Sequence, residues 1–160
     1  MCGIFGYLGP RQATSILLDG LRRLEYRGYD STGIVVKNGS FEIHKKVGKV
    51  GELESILPNK IEGTTGIAHT RWATHGVVSD ENAHPHPSAK GNVVIVHNGI
   101  IENSRQLRTS LTVQGVDLQS DTDSEALAHI IERELSLDND PEQAVRRTLR
   151  LARGTWGLCA

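Results

Sequence analysis

The apolar residues in the first half of the chain follow two different spacings. Residues 2–8 form a short apolar stretch interrupted by glycine, which indicates a buried strand. From Arg11 to Leu24 apolar residues recur at helical spacing, which predicts a helix whose inner face carries Ala13, Leu17, Leu21 and Leu24. The apolar segments 33–36 and 41–47 flank Asn38-Gly39 and predict an antiparallel hairpin. A short helix is expected from Val50 to Leu57, before Pro58.

The second half of the chain is predicted to be richer in helix. Strands are expected at 66–70 and 93–97, the second ending at Asn98-Gly99, and a last strand at 155–160. Helices are expected from Asn103, which can cap, and after Asp140, with Pro141 at the first position. Another follows Thr122, with Glu125 completing a capping box. Hairpins interleaved with helices predict antiparallel sheet covered by helices, and the chain stops where a strand is starting, which suggests a fragment.

Composition narrows the class of protein. The length of 160 residues is enough for one domain, and 38% hydrophobic with 23% charged residues is typical of a folded, soluble protein. The net charge is −1 without a long basic run, which argues against nucleic-acid binding. No apolar stretch is long enough for a membrane span, and the N-terminus does not resemble a signal peptide. Only two cysteines, Cys2 and Cys159, are present, so we expect a reducing, cytoplasmic setting.

Cys2 directly follows the initiator methionine. Removal of Met1 would leave a thiol and a free α-amine on one residue, and an α-amine titrates near neutral pH. Cys2 could then be a nucleophile that carries its own base. The alternative is a small apolar residue at the start of a buried strand.

Two segments offer groups that could bind a carboxylate or an oxyanion. Residues 71–76 combine the guanidinium of Arg71 with Trp72, Thr74 and His75, which suits a substrate carboxylate, although a surface arginine beside a packed tryptophan is the alternative. Asn98 and Gly99 can aim an amide and a backbone N–H at one oxygen, as in an oxyanion hole. The alternative for Asn98-Gly99 is a simple turn.

The acidic and histidine-rich segments are less specific. Asp121, Asp123 and Glu125 lie where a helix begins, so they either stabilise that helix or, for one of them, bind a substrate ammonium. His84-Pro85-His86 has no cysteine or carboxylate nearby at zinc-like spacing. No metal and no cofactor is therefore expected. The loop 71–91 that contains these histidines is long enough to be functional.

Five motifs together resemble one family. Cys2-Gly3-Ile4-Phe5-Gly6 is similar to the start of the class II, or N-terminal-nucleophile, glutamine amidotransferases. The remaining motifs resemble the glutaminase domain of glucosamine-6-phosphate synthases (glutamine–fructose-6-phosphate aminotransferases, isomerising), over nearly the whole chain; they are the segments 24–31, 68–76, 82–86 and 97–103.

The resemblance implies a fold and a set of roles. The fold would be α+β, a four-layer α/β/β/α sandwich of antiparallel sheets, as in N-terminal-nucleophile hydrolases. Cys2 would attack the side-chain amide of L-glutamine, with Asn98 and the Gly99 N–H holding the oxyanion. The implied substrate-binding residues are Arg71, Thr74 and His75 for the α-carboxylate, Asp123 for the α-ammonium, and Trp72, which would gate an ammonia path.

The resemblance also sets limits on this chain. Residues 1–160 would be a glutaminase domain incomplete at its C-terminus, without the isomerase domains that would use fructose 6-phosphate, and the full-length enzyme would be a homodimer. Two alternatives remain open. One is another class II amidotransferase with a different acceptor, and the other is an inactive, truncated domain that acts as a binding module.

Overall fold

The structure is a computed structural model that describes residues 2–73 and 76–160. Its strands are β1 Gly3–Leu8, β2 Ser31–Asn38, β3 Ser40–Val47, β4 Thr65–Arg71, β5 His86–Pro87, β6 Val94–Ile101 and β7 Gly154–Cys159. Its α-helices are α1 Ala13–Leu24, α2 Val50–Ile56, α3 Ser104–Val113, α4 Glu125–Asp138 and α5 Pro141–Leu151, and a 3-10 turn covers Glu25–Arg27.

The first sheet is antiparallel, with its strands in the order β1-β4-β2-β3. The predicted hairpin is β2–β3, which turns at Gly39 with a φ of +73°. Gly3 pairs with Thr70, so the start of β1 lies beside the end of β4. This register brings Cys2 next to the Arg71-Trp72 segment, although the two are far apart in the sequence.

The second sheet has the order β5-β6-β7. The expectation that the strand ends at His97 is wrong, because β6 continues to Ile101 and pairs with β7 over this extra length. Gly99 pairs with Trp156 at a φ of +141°, and a Cβ atom at Gly99 would lie 2.0 Å from the Thr155 carbonyl oxygen. Asn98-Gly99 is therefore part of a strand and not a turn.

The two sheets lie between two helical layers, which confirms the predicted four-layer α/β/β/α sandwich. Helices α1 and α2 pack on the first sheet, and their shared core includes Leu17, Leu21, Ile34, Val36, Leu53 and Ala68. Helices α4 and α5 cover the second sheet, and that core includes Val93, Ile95, Ile101, Leu127, Ile131 and Ala144. Side chains alternate across a strand, so His69 and Asn98 point into the space between the sheets, where they meet.

The helix starts only partly follow the expectations. Helix α5 begins as predicted. Pro141 is in its first turn, and the Asp140 carboxylate accepts a hydrogen bond from the Gln143 N–H. Only half of the capping box at Thr122 is formed: the Thr122 Oγ1 accepts the Glu125 N–H at 3.4 Å, but the Glu125 carboxylate accepts from the backbone N–H groups of Gln119 and Ser120 instead. Asn103 does not cap α3 through its side chain. Within residues 2–73 and 76–160, the helices are too short or too polar to cross a bilayer.

Candidate active site

The thiol of Cys2 lies against the backbone of Trp72. The Trp72 N–H donates to the Cys2 Sγ, with an N···S distance of 3.2 Å, and the thiol is 3.5 Å from the Trp72 carbonyl oxygen. A backbone N–H aimed at sulfur stabilises negative charge on it. Cys2 is also partly exposed, so the position suits a nucleophile better than the alternative of a buried apolar residue.

The backbone of residues 71–73 is held by the loop before β2. Asp30 donates its N–H to the Arg71 carbonyl oxygen and accepts the Ala73 N–H on its carboxylate, at 3.0 and 2.8 Å. A Cβ atom at Gly28 would lie 2.9 Å from the Arg71 carbonyl carbon, so only glycine permits this approach. Loop 25–31 therefore fixes the N–H that faces the thiol.

Arg71 is buried at the end of β4, with 4% of its surface exposed. Desolvation lowers the pKa of its guanidinium, while the negative charges of Cys2, Asp30 and Asp123 oppose that shift. One guanidinium nitrogen donates to the Val77 carbonyl oxygen at 3.3 Å. A buried cation among anionic groups is an effective binding group for a carboxylate.

Asp123 provides a buried carboxylate opposite Arg71, with 7% of its surface exposed. One oxygen accepts the Ile101 N–H at 2.8 Å, and the other accepts the Ser124 hydroxyl at 3.3 Å. The Asp123 carboxylate thus links the start of α4 to β6 and does not cap the helix. Its remaining lone pairs can accept a hydrogen bond from an ammonium group.

One small cavity brings the predicted groups together. Its lining comprises Cys2, Arg71, Trp72, His84, His97, Gly99, Thr122, Asp123 and Ser124. Five of the predicted site residues are therefore adjacent, from four separate segments of the chain. Thr74 and His75, also predicted, lie outside the described residues.

Asn98 does not line this cavity, although the neighbouring Gly99 does. Asn98 lines a separate hollow with Cys2, Arg27 and Leu158, among others, and its Nδ2 donates to the Cys2 carbonyl oxygen at 3.3 Å. Its Oδ1 is 2.8 Å from the Nε2 of His69. Asn98 thus contacts the backbone of Cys2, and its role as an oxyanion donor stays a prediction.

A layer of buried histidines forms the floor of the site. The ring of His84 packs on the rings of His69 and His86, with centroids 4.2 and 4.5 Å away. Burial lowers the pKa of His69 to about 4 and holds those of His84 and His86 well below 6.5, so all three are neutral at pH 7. In the described part of the chain, no three histidine, cysteine or acidic side chains are arranged to hold a metal ion.

Sequence reasoning missed two residues of this site as individual contributors. Asp30 and His69 lie inside the segments 24–31 and 68–76, and the sequence alone assigns neither of them a role. Asp30 had a signal, since it is a charged residue in a turn that immediately precedes a buried strand. His69 had a weaker one, a histidine in the apolar run that forms β4, whose partner lies on another sheet.

A larger cavity of about 330 Å³ lies elsewhere, between the sheets and helices α4 and α5. Its lining is mostly apolar and includes Val35, Ile67, Val94 and Ile131. It contains none of the predicted site residues, so it does not compete with the cavity at Cys2.

Comparison with known proteins points to one family. Residues 69–160 match the glutamine amidotransferase domain family. The chain is 51% identical to the glutamine–fructose-6-phosphate aminotransferase (isomerizing) of Chlorobaculum tepidum and 50% identical to that of Pyrococcus horikoshii. In both cases 99% of the chain is covered, but only 27% of the relative.

Solved structures show the same fold at lower identity. The glutamine phosphoribosylpyrophosphate amidotransferase of B. subtilis superposes with a TM-score of 0.84 and 30% identity, covering 99% of this chain and 34% of that one. A second structure, described as the allosteric regulatory enzyme of purine biosynthesis, gives a TM-score of 0.85 at 30% identity, with the same coverage of both chains.

Proposed function

The chain belongs to the glutamine amidotransferase domain family, and on that premise we propose that it hydrolyses the side-chain amide of L-glutamine through a thioester at Cys2. One observation carries the proposal. Cys2, Arg71, Gly99 and Asp123 line the same cavity, so a nucleophile, a cation, an oxyanion donor and an anion are adjacent. An α-amino acid with a carbonyl on its side chain matches this set of groups.

The first step forms the bond between sulfur and carbon. Once Met1 is removed, the free α-amine of Cys2 takes the thiol proton, and Sγ attacks the amide carbon. The Trp72 N–H, 3.2 Å from Sγ, stabilises the thiolate before the attack. The electron pair of the C=O bond moves to oxygen and produces an oxyanion.

Asn98 and Gly99 are the proposed donors to that oxyanion. The Asn98 Nδ2 carries two hydrogens, and one of them is used by the Cys2 carbonyl. The second can reach an oxygen bound at Cys2, together with the Gly99 N–H. The oxyanion then collapses, the C–N bond breaks, and the leaving nitrogen takes the proton from the Cys2 ammonium to depart as ammonia. Water hydrolyses the thioester to glutamate and returns the thiol.

The α-groups of glutamine would be held on both sides of the cavity. Arg71 binds the α-carboxylate and Asp123 the α-ammonium, and we keep Thr74 and His75 as further carboxylate ligands. The cavity holds about 30 Å³, so a bound amino acid would extend beyond it, past the rim. Trp72, which is 46% exposed at that rim, has room to move, and this exposure supports the proposal that it gates an ammonia path.

For the full-length protein we propose that the ammonia is used to convert fructose 6-phosphate into glucosamine 6-phosphate. The support comes from sequence identity. The chain is 50 to 51% identical to relatives named glutamine–fructose-6-phosphate aminotransferase, but only 30% identical to the phosphoribosylpyrophosphate enzyme. The chain spans about a quarter of the length of those relatives. We also propose a cytoplasmic homodimer, which sedimentation of the full-length protein would test.

The test is glutamate release by the full-length protein and its Cys2→Ala variant, with Cys159→Ala as the matched control. We expect Cys2→Ala to abolish release and Cys159→Ala to retain it, because Cys159 lies on β7 and does not line the cavity. Intact mass should show the loss of one methionine. Normal release by Cys2→Ala would refute the mechanism. A folded, inactive wild type that fails to bind glutamate in calorimetry would favour the alternative of a binding module.

A further inference from the structure

We propose that His69 is a positioning residue that fixes the orientation of the Asn98 amide, and through it the oxyanion hole. The inference rests on the proposed function, because it assigns a role within that same site. His69 lies on β4 in the first sheet, and Asn98 lies on β6 in the second. Their contact is a direct hydrogen bond between the sheets, adjacent to the nucleophile.

The orientation of the Asn98 amide follows from its two neighbours. The Cys2 carbonyl oxygen can only accept, so the amide atom 3.3 Å from it is the NH2 group. The other amide atom is therefore the oxygen, and it lies 2.8 Å from the Nε2 of His69. A hydrogen bond to an amide oxygen requires a donor, so Nε2 carries the hydrogen.

His69 is well suited to hold this tautomer. Its side chain is fully buried, and burial lowers its pKa to about 4, so the ring is neutral at the pH of the reaction. A neutral imidazole carries one ring hydrogen, so with that hydrogen on Nε2 the Nδ1 is the unprotonated nitrogen. The neighbouring ring of His84, 4.2 Å away, restricts rotation of the imidazole.

The hydrogen bond from His69 is the shorter of the two that hold Asn98. The Cys2 carbonyl alone, at 3.3 Å, is a weaker restraint, and that carbonyl belongs to the residue that reacts. A half-turn of the amide would place Oδ1 near the developing oxyanion and replace attraction with repulsion. His69 therefore acts on the transition state more than on substrate binding, which predicts an effect on kcat and little effect on KM.

Two amide variants separate this role from packing. The nitrogen of a glutamine side chain reaches about as far as the Nε2 of histidine, whereas that of asparagine stops near the position of Nδ1. We expect His69→Gln in the full-length protein to retain kcat within about threefold, and His69→Asn to lose about 10- to 100-fold, somewhat less than deletion of an oxyanion donor. KM for glutamine should stay similar in both. His44→Asn, on β3, is the control, because His44 contacts Glu42 and is distant from the cavity.

A double-mutant cycle with Asn98→Ala gives the sharper result. If His69 acts through Asn98, His69→Asn should lower kcat by less than about twofold once Asn98 is alanine. An equal loss in both backgrounds would overturn the inference, as would equal kcat for the Gln and Asn variants. Loss of fold in both amide variants, seen as a collapsed thermal transition, would also overturn it, because His69 would then be a core residue.

The controls keep this test separate from that of the proposed function. A wild-type protein that releases no glutamate, or a Cys2→Ala variant that still does, refutes the proposed function whatever His69 does. An active wild type whose two amide variants behave alike refutes only the role of His69.

Discussion

The cavity has two sides that differ in how they are held. The thiol side lies on the first sheet and is formed by Cys2, Arg71 and Trp72. The carboxylate side belongs to the second sheet and the start of α4, and is formed by Gly99, Asp123 and Ser124. Trp72 is 46% exposed, while Asp123 and Ser124 are 7% and 2% exposed. The thiol side depends on a separate loop for its position. The carboxylate side is held by hydrogen bonds among its own elements.

This difference indicates where the site can be disturbed without unfolding the protein. Asp30 and Gly28 support the thiol side from a loop that lies outside both hydrophobic cores. Side-chain changes there that introduce no backbone clash should alter activity more than stability. Changes on the carboxylate side should do the reverse, because the same hydrogen bonds join β6 to α4.

The largest effect is expected for Asp30→Asn. An amide in place of the carboxylate weakens the hydrogen bond from the Ala73 N–H, now 2.8 Å, and removes a negative charge that faces Arg71. We expect glutamine hydrolysis to fall about 100-fold, roughly 2.7 kcal/mol in the activation barrier, and the alkylation of Cys2 by iodoacetamide to slow as the Trp72 N–H moves away. Asp19→Asn, at an exposed pair with Arg22, is the control. Unchanged alkylation and hydrolysis would show that the loop does not position the thiol side.

Gly28→Ala tests the same support through packing. The added Cβ would lie 2.9 Å from the Arg71 carbonyl carbon and 3.0 Å from the Trp72 nitrogen, so one of the two backbones must shift. We expect a loss of about 2 kcal/mol in the free energy of unfolding, with reduced activity. Gly51→Ala, in α2 with nothing within 4 Å of the new atom, should be neutral or stabilising. Urea unfolding compares the two, and equal stabilities would contradict the close contact.

The histidine floor between the two sides should make the fold sensitive to acid. His69, His84 and His86 stay neutral in the folded chain below pH 6.5, whereas the unfolded chain binds a proton at each. Stability is therefore complete above pH 6.5 and is lost as the pH falls, by about 1.4 kcal/mol per pH unit for each neutral histidine. For His69 the loss ends near its folded pKa of about 4. The free energy of unfolding, measured from pH 7 to pH 4, should show this slope. The His69→Gln variant should show a slope smaller by the contribution of one histidine.

The smallest effect is expected for Ser124→Ala on the carboxylate side. The variant loses the hydrogen bond between the Ser124 hydroxyl and the His97 Nδ1, which are 2.8 Å apart, and leaves that nitrogen buried without this partner. We expect a loss of about 1 kcal/mol in stability and a change in kcat below about threefold. Thr112→Ala, at an exposed hydroxyl on α3, is the control. A loss of activity that exceeds the effect of Asp30→Asn would reverse the comparison between the two sides.

The fold was largely predictable because its signals are local. The apolar spacing in α1, the turn at Asn38-Gly39 and Pro141 in the first turn of α5 each depend on neighbouring residues, and all three predictions are confirmed. The extension of β6 was not predictable in this way. Asn-Gly favours a turn locally, and only pairing with β7, more than fifty residues later, keeps Asn98 and Gly99 in a strand.

The site was predictable as a set of residue types, but not as a set of contacts. Cys2, Arg71, Gly99 and Asp123 could be selected because their chemistry matches a substrate. The roles of Asp30 and His69 depend on contacts with residues 43 and 29 positions away, and no local pattern encodes such a contact. Glu125 shows the reverse case. A local pattern predicts that its carboxylate completes a capping box, but the carboxylate accepts from the backbone N–H groups of Gln119 and Ser120.

The geometry of Gly99 has a consequence for inhibitor design. Its positive φ and the carbonyl of Thr155, 2.0 Å from where a Cβ atom would lie, leave no room for any side chain. Consider an inhibitor that accepts a hydrogen bond from the Gly99 N–H. A mutation of residue 99 cannot remove this donor without also breaking the pairing of β6 with β7. Resistance to such a compound would have to arise at other residues of the cavity or on the exposed rim where Trp72 lies.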